Sequence, residues 1–323
     1  MRFAGLPIPD NEKLVPEIFY RNSEPVLRYR LVRSGPSVYA ANGKRVLWVQ
    51  DESSLGGAEI SGRFVIDVGL KQGWSIRKAT PALAVSVIRT LLAECDLVVL
   101  NNLWEFARDQ IKAMMDALSC RKIPYVKYEH DHRELARSEF SKRLFSGSFL
   151  NVFLSPMHLG NYESGFGVKG ICLPLAIDVD VFRPVSGIER KEGAALACFS
   201  RIGKVGRDLA EYAAGHPEIR FDVIPDSGGI KLKNVFTKRP VPHEAMPEIY
   251  SGYEYVVCLP DSWEAGGRSV FEGALCGCKV VGNEKVGHLS WGVDLSDAET
   301  LRKGLKTAPY EFWRLIGERL ESK

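Results

Sequence analysis

Short apolar, β-branched runs recur along the chain with helix-length segments between them, and this alternation limits the possible folds more than any other feature. The runs are "RVLWVQ" (45–50), "DLVVL" (96–100), "IPYVKYE" (123–129), "NVFLS" (151–155), "ALACFS" (195–200), "RFDVIP" (220–225), "EYVVCLP" (254–260) and "KVVG" (279–282). Strands that are apolar on both faces need cover on both faces, and the intervening helices supply it, so the pattern predicts parallel sheets of an α/β protein. A chain of 323 residues is long for one core and comfortable for two. The alternation lapses at 176–194, where Pro184, Gly187 and a cluster of charges read as a linker. The expected organisation is two Rossmann-like, doubly wound domains, 1–184 and 185–308. A terminal helix at 309–323 follows, with Phe312, Trp313, Leu315, Ile316 and Leu320 at helical spacing, expected to pack back toward the first domain. Residues 1–44 carry arginines and prolines without a clear period and read as a partly extended arm.

Composition narrows the class of protein. Hydrophobic content of 45% and charged content of 26% describe an ordinary globular chain, which sets aside disorder and repeat architectures. A net charge of +3 permits an anionic partner without demanding nucleic acid. The 7 cysteines, odd in number and set in apolar stretches, read as buried thiols of a reducing compartment. The close pair Cys276 and Cys278 lacks the wider spacing and further ligands of a closed zinc site, so core packing is the expectation. No stretch has the apolar length of a membrane span or signal peptide, and a cytoplasmic protein is expected.

The chemistry concentrates in "DSWEAGGRSVFEGALCGCKVVG" (261–282). A strand ends, a loop carries Glu264, and Gly266 and Gly267 precede a helix expected from Arg268 to about Cys276, with Gly277 as its stop. Glycines at a helix entrance let backbone N–H groups approach a ligand, and the helix field favours an anion such as a phosphate. Glu272 lies one turn inside the helix, so the two carboxylates can accept hydroxyl protons from different parts of one ligand. Taken singly, the glutamates fit a solvated surface and the glycines a tight turn. Their joint position at the end of a strand is where α/β sheets bind ligands.

The spacing of Glu264, seven intervening residues and Glu272 resembles the Glu-x7-Glu signature of retaining glycosyltransferases of the GT-B fold, in particular glycosyltransferase family four. Other segments fall in that family's order: "LGGAE" (55–59), "KYEHDH" (127–132), "LPLAIDVDVFRP" (173–184), "FSRIGKVGRDL" (199–209) and the approach "VPHEAMPEIYSGYEYVVCLPDSWEAGG". The resemblance implies two domains facing a central cleft, with nucleotide-sugar binding in the second and the acceptor read by the first. It implies that Glu264 meets donor-sugar hydroxyls, Glu272 the nucleotide ribose, and Gly266, Gly267 and Arg268 the diphosphate. Arg201 and Lys204 are implied as diphosphate cations, Gly56 and Gly57 as a close-approach loop, and His130 as a residue against the donor sugar. Only Ile202 and Gly203 separate Arg201 from Lys204, fewer than in the family, which leaves Arg207 as an alternative cation. His132, His158 and His243 read as structural.

The activity implied is hexosyl transfer from a nucleotide-sugar, such as a UDP- or GDP-sugar, with retention and without a metal or further cofactor. The one Asp-x-Asp pair, Asp178 and Asp180, lies beside the linker. Glycan or lipid-linked acceptors are expected first. DNA with hydroxymethylated bases is the alternative: Arg2, Arg21, Arg28, Arg30 and Arg33 permit it, while Asp10, Glu12, Glu17 and Glu24 dilute the arm's charge. A non-catalytic nucleotide-binding scaffold is the third reading. Arg137, Lys142 and Arg143 with Phe140, Leu144, Phe145 and Phe149 fit either a peripheral patch on the inner membrane face or an ordinary surface helix and core strand.

Overall fold

A computed structural model of the chain describes residues 2–3, 6–7, 12–21, 24–33, 43–52, 56–131, 139–198, 206–224 and 229–321. At the start, β1 (Arg2–Phe3) pairs antiparallel with β2 (Leu6–Pro7), and β3 (Glu12–Arg21) with β4 (Glu24–Arg33). The register sets Glu12 opposite Arg33, Glu17 opposite Arg28 and Arg21 opposite Glu24. The stretch expected as a partly extended arm therefore contains a ladder in which each of these three acidic positions stands opposite a basic one in the register.

The first parallel sheet follows in chain order: β5 (Arg45–Val49), α1 (Gly57–Lys71), β6 (Ser75–Ala79), α2 (Val85–Ala93), β7 (Leu97–Leu100), α3 (Arg108–Arg121), β8 (Tyr125–Tyr128), α4 (Glu139–Ser146), β9 (Leu150–Phe153), α5 (Pro156–Phe166) and β10 (Ile171–Cys172). Its strand order is β10-β9-β8-β7-β5-β6, parallel throughout. The second sheet uses β11 (Lys191–Cys198), α6 (Arg207–Gly215), β12 (Arg220–Ile224), β13 (Val235–Thr237), α7 (Met246–Ser251), β14 (Tyr253–Cys258), α8 (Arg268–Leu275) and β15 (Lys279–Gly282). Its order is β13-β12-β11-β14-β15, again parallel.

Every apolar run named above forms a strand, and β7, β8 and β9 are buried along their whole length. The three parallel strands without such a run, β6, β10 and β13, all lie at sheet edges and are only partly buried. An edge strand needs less apolar surface, so its sequence carries less signal.

Local rules fix the helix ends. Ser155 caps α5: its hydroxyl accepts the His158 N–H at 3.1 Å, Pro156 takes the first helical position, and Gly167 closes the far end at φ +65°. At the end of α8 the Gly277 N–H donates to Ala274 O and the Cys278 N–H to Gly273 O, both at 2.9 Å, with Gly277 at φ +84°. This paired capping is a Schellman motif.

Helix α9 (Ala298–Glu321) begins well before residue 309 and holds Pro309 inside it. It belongs to both halves. Leu301 and Leu305 are buried at its start, while Trp313 is buried near its end, its ring 4.9 Å from that of Trp74. The Trp313 indole N–H donates to Val65 O of α1 at 2.7 Å. Further bonds join the sheets near β9, with Ser155 Oγ donating to Ala265 O at 2.7 Å and the Trp291 indole to Leu154 O at 3.0 Å. A continuous apolar core runs through both halves.

Candidate active site

The carboxyl ends of the two sheets open on one cavity of about 590 Å3. The residues that follow β5, β7 and β8 line it from one side, and those at the ends of β11, β12 and β14 from the other. In each sheet the strand order reverses direction there, at β5/β7 and at β11/β14. Open α/β sheets bind ligands at such switch points, because the loops diverge and leave a crevice.

On the second side the start of α8 forms the wall. Gly267 precedes the helix at φ +87°, a left-handed conformation that a Cβ would strain, and a Cβ there would stand 2.7 Å from Val286 Cγ1. His288 holds the loop: its backbone N–H donates to Gly266 O at 2.8 Å and its Nδ1 lies 3.2 Å from Gly267 O. The ring is stacked 3.9 Å from Phe271, and burial depresses its pKa to about 3, so it is neutral with the proton on Nδ1. No side chain caps α8, and Gly267, Arg268 and Ser269 line the cavity. The first N–H groups of a helix have no partner inside it, so this wall presents donors and a positive field.

Glu272 lies beneath that helix start, its side chain 3% exposed. Its Oε1 accepts from Arg268 Nη1 at 2.7 Å and lies 2.8 Å from His243 Nε2, while the Tyr250 hydroxyl stands 3.5 Å from Oε2. Arg268 reaches further: Nη2 donates to Ser61 Oγ of α1 at 2.7 Å and to Ala176 O at 3.1 Å. Its guanidinium thus ties the second-sheet wall to the first, with Nε buried and unpartnered. Glu264 lines the cavity, and its backbone is pinned by bonds from its N–H to Lys285 O at 2.9 Å and to its carbonyl from the Gly287 N–H at 2.8 Å.

On the first side α1 also begins at the cavity without a side-chain cap, at Gly56 and Gly57. Glu59 folds back over Gly56. Burial, with the charges of Asp51, Asp131 and Glu105 adding to it, pushes its pKa up to about 7. His130 follows β8 with its residue surface 5% exposed and both ring nitrogens unpartnered. Burial drives its pKa well below 6.5, so the ring is neutral.

The cavity therefore brings together Gly56, Gly57, His130, Glu264, Gly267, Arg268 and Glu272, while Gly266 sits directly behind it against Leu175 and His288. Arg201 and Lys204 lie outside the described residues. Arg207 opens α6 with its side chain 75% exposed, facing Asp208 and Glu211 at 3.9 and 3.8 Å, and is not part of the cavity wall.

His243, read as structural, instead lines the cavity against Glu272. His158 is buried under β9, accepting from the Leu154 N–H at 3.3 Å. The first-sheet wall also holds Asn102, Trp104 and Glu105, which the motifs do not mark, beside Glu59 of "LGGAE" and Asp131 of "KYEHDH". All lie in the segments that follow strand ends, which was the available signal. Asp178 and Asp180 form a turn before the linker: the Asp178 carboxylate accepts the Asp180 N–H at 3.1 Å, and Asp180 pairs with Lys306 at 3.2 Å. Cys276 and Cys278 are buried, and Cys278 Sγ donates to Tyr250 O at 3.1 Å. No helix among the described residues is long and apolar enough to cross a membrane.

No family model matches the chain, and no curated protein does. Solved structures do. The chain is similar to HepE of Anabaena in complex with UDP-glucose, with a TM-score of 0.61 at 13% identity over 86% of this chain and 100% of that one. Sucrose-phosphate synthase of Thermosynechococcus elongatus gives 0.62 at 14% identity, covering 86% and 98%. An alpha-glucosyltransferase in complex with UDP and a 13-mer DNA containing an HMU base gives 0.55 at 12%, covering 83% and 91%. At such identities the likeness shows the fold. The chain has the GT-B architecture of glycosyltransferases, two Rossmann-like domains with parallel sheets facing a common cleft.

Proposed function

We propose that the protein is a retaining, metal-independent glycosyltransferase that moves a hexose from a nucleotide-sugar to an acceptor hydroxyl on a glycan or lipid-linked glycan. The observation that carries this reading is the uncapped start of α8 opening into a cleft between two switch points, with Glu264 before it and Glu272 beneath it. Amides at Gly267, Arg268 and Ser269 would hold the donor diphosphate. Glu272 Oε2 would accept from the ribose, and Glu264 from the donor sugar. His130, neutral and with both nitrogens unpartnered, would meet the transferred sugar. Arg201 and Lys204 would add positive charge at the diphosphate.

In the reaction the bond from the anomeric carbon to the phosphate oxygen breaks and its electron pair leaves on the diphosphate. The acceptor oxygen bonds to the same face, and its proton passes to the departing phosphate oxygen. Amide donors and the helix field stabilise the charge that develops on that oxygen. A second reading, transfer to DNA, draws on the structural neighbour bound to a 13-mer DNA.

The test is calorimetry of the full chain against UDP, GDP, ADP and TDP and their glucose or mannose conjugates, in EDTA and in magnesium. Binding of one diphosphate in EDTA supports the donor site; a chain that binds none of them does not have it.

A further inference from the structure

The first-sheet wall of the cleft is built differently from the α8 wall. Trp104 is 50% exposed inside the cavity, yet it is held on several sides. Its indole N–H donates to Asp131 Oδ2 at 2.6 Å, an oxygen that also accepts from Asn102 Nδ2 at 2.9 Å. Its backbone N–H donates to Asp51 Oδ2 at 2.9 Å, and the next N–H, of Glu105, to Asp51 Oδ1 at 3.0 Å. Asp131 is fixed in turn: its carbonyl accepts from the Tyr162 hydroxyl at 3.2 Å and lies 3.1 Å from His158 Nε2. Since His158 Nδ1 accepts from Leu154, Nε2 carries the proton and donates.

A partly buried network thus orients Trp104, half of whose surface is exposed where it lines the cleft. Leaving half of an indole in water has a cost that burying it would remove, and fixing it there by this many bonds suits a contact surface. Around it every ionisable side chain among the described residues of this wall, apart from neutral His130, is a carboxylic acid. An aromatic plane complements the C–H face of a pyranose, and carboxylates accept its hydroxyl protons. His130, 5% exposed and with both nitrogens unpartnered, is left to the transferred donor sugar at the edge of this wall.

We propose that this wall is the acceptor subsite and that it takes an uncharged sugar unit, stacked on Trp104 and hydrogen-bonded to Glu59 and Glu105. The proposal rests on the glycosyl-transfer reading and narrows its acceptor. Phosphodiester backbones and acidic sugars would bring negative charge against a wall of carboxylates.

The experiment is calorimetric titration of the full chain, with and without saturating UDP, by methyl glucoside, methyl galactoside, methyl mannoside, methyl glucuronide and a 13-mer duplex with one hydroxymethyluracil. At least one neutral pyranoside should bind, and Trp104→Ala should weaken it by roughly fivefold to tenfold, the loss expected for one aromatic stack. Trp104→Phe, which keeps a ring and the fold, should weaken it by no more than about threefold. The glucuronide should bind more weakly than the best neutral sugar. The proposal is overturned if no neutral pyranoside binds in either condition, if Trp104→Ala binds as well as wild type, or if the glucuronide or the DNA binds more tightly. UDP affinity is measured in the same series: a chain that binds UDP but no pyranoside loses this proposal alone, whereas pyranoside binding without any nucleotide binding removes the donor reading instead.

Discussion

The two walls of the cleft both begin as a helix that starts at glycine, yet they end with opposite chemistry. At α8 the helix start stays open, and the nearby carboxylate, Glu272, is matched by Arg268 and His243. At α1 the helix start is shadowed by Glu59, with Asp51, Glu105 and Asp131 around it. The same backbone device thus favours an anion on one side and hydroxyl donors on the other. The side chains gathered around each helix start, from the helix itself and from the loops after neighbouring strands, make that difference.

Four substitutions probe it. Glu272→Ala should have the largest effect, about 3–5 kcal/mol of stability by chemical denaturation, because it leaves the Arg268 guanidinium buried without its carboxylate. It should also remove nucleotide binding while the folded fraction still binds pyranoside; equal loss of both ligands would mean that the walls are not separable.

Glu59→Gln tests the other wall through pH. Glu59 titrates near 7 in the folded chain and near 4.5 when unfolded, so folding favours its protonated form. Its contribution is intact below pH 4.5, falls as the unfolded state ionises first, and is fully lost above about pH 7, a change of roughly 3 kcal/mol. The wild-type minus Glu59→Gln difference in unfolding free energy should therefore become less favourable to wild type across that range. A flat difference would remove Glu59 from the buried acidic wall.

Gly267→Ala places a Cβ at a left-handed position and against Val286, for about 2 kcal/mol of stability and a weaker diphosphate site. Unchanged diphosphate affinity would separate the α8 amides from anion binding. The smallest effect, about 1 kcal/mol, is expected for Ser61→Ala, which removes the α1 acceptor of Arg268 Nη2 but leaves Ala176 O in place. A Ser61→Ala change that lowers donor and acceptor affinity together would show that Arg268 couples the walls.

The sheets were largely legible because the interior strands must be apolar on both faces, as in "DLVVL" and "YVVC". Strands such as "SIRKA" at 75–79 were not, since an edge strand with one buried residue, Ala79, has no such requirement. The hairpin of β3 and β4 was hidden for a related reason: its charged and apolar positions follow no strict alternation, and its pairing appears only once the strands are set in register. In the cleft, Glu264, Gly267 and Glu272 were legible because motif and secondary structure coincide there. His243, Trp104 and Asn102 were not, because their meaning comes from partners distant in sequence: Glu272 for His243, Asp131 for the other two.

The last helix has a consequence for how the molecule is made. Trp313 completes the core around Trp48 and Trp74 and bonds to Val65, all in the half that leaves the ribosome first. At a synthesis rate of roughly 5–20 residues per second, that half stays unfinished for on the order of ten seconds while the second sheet is translated. During that interval it exposes an indole-lined groove on α1 until α9 arrives to fill it.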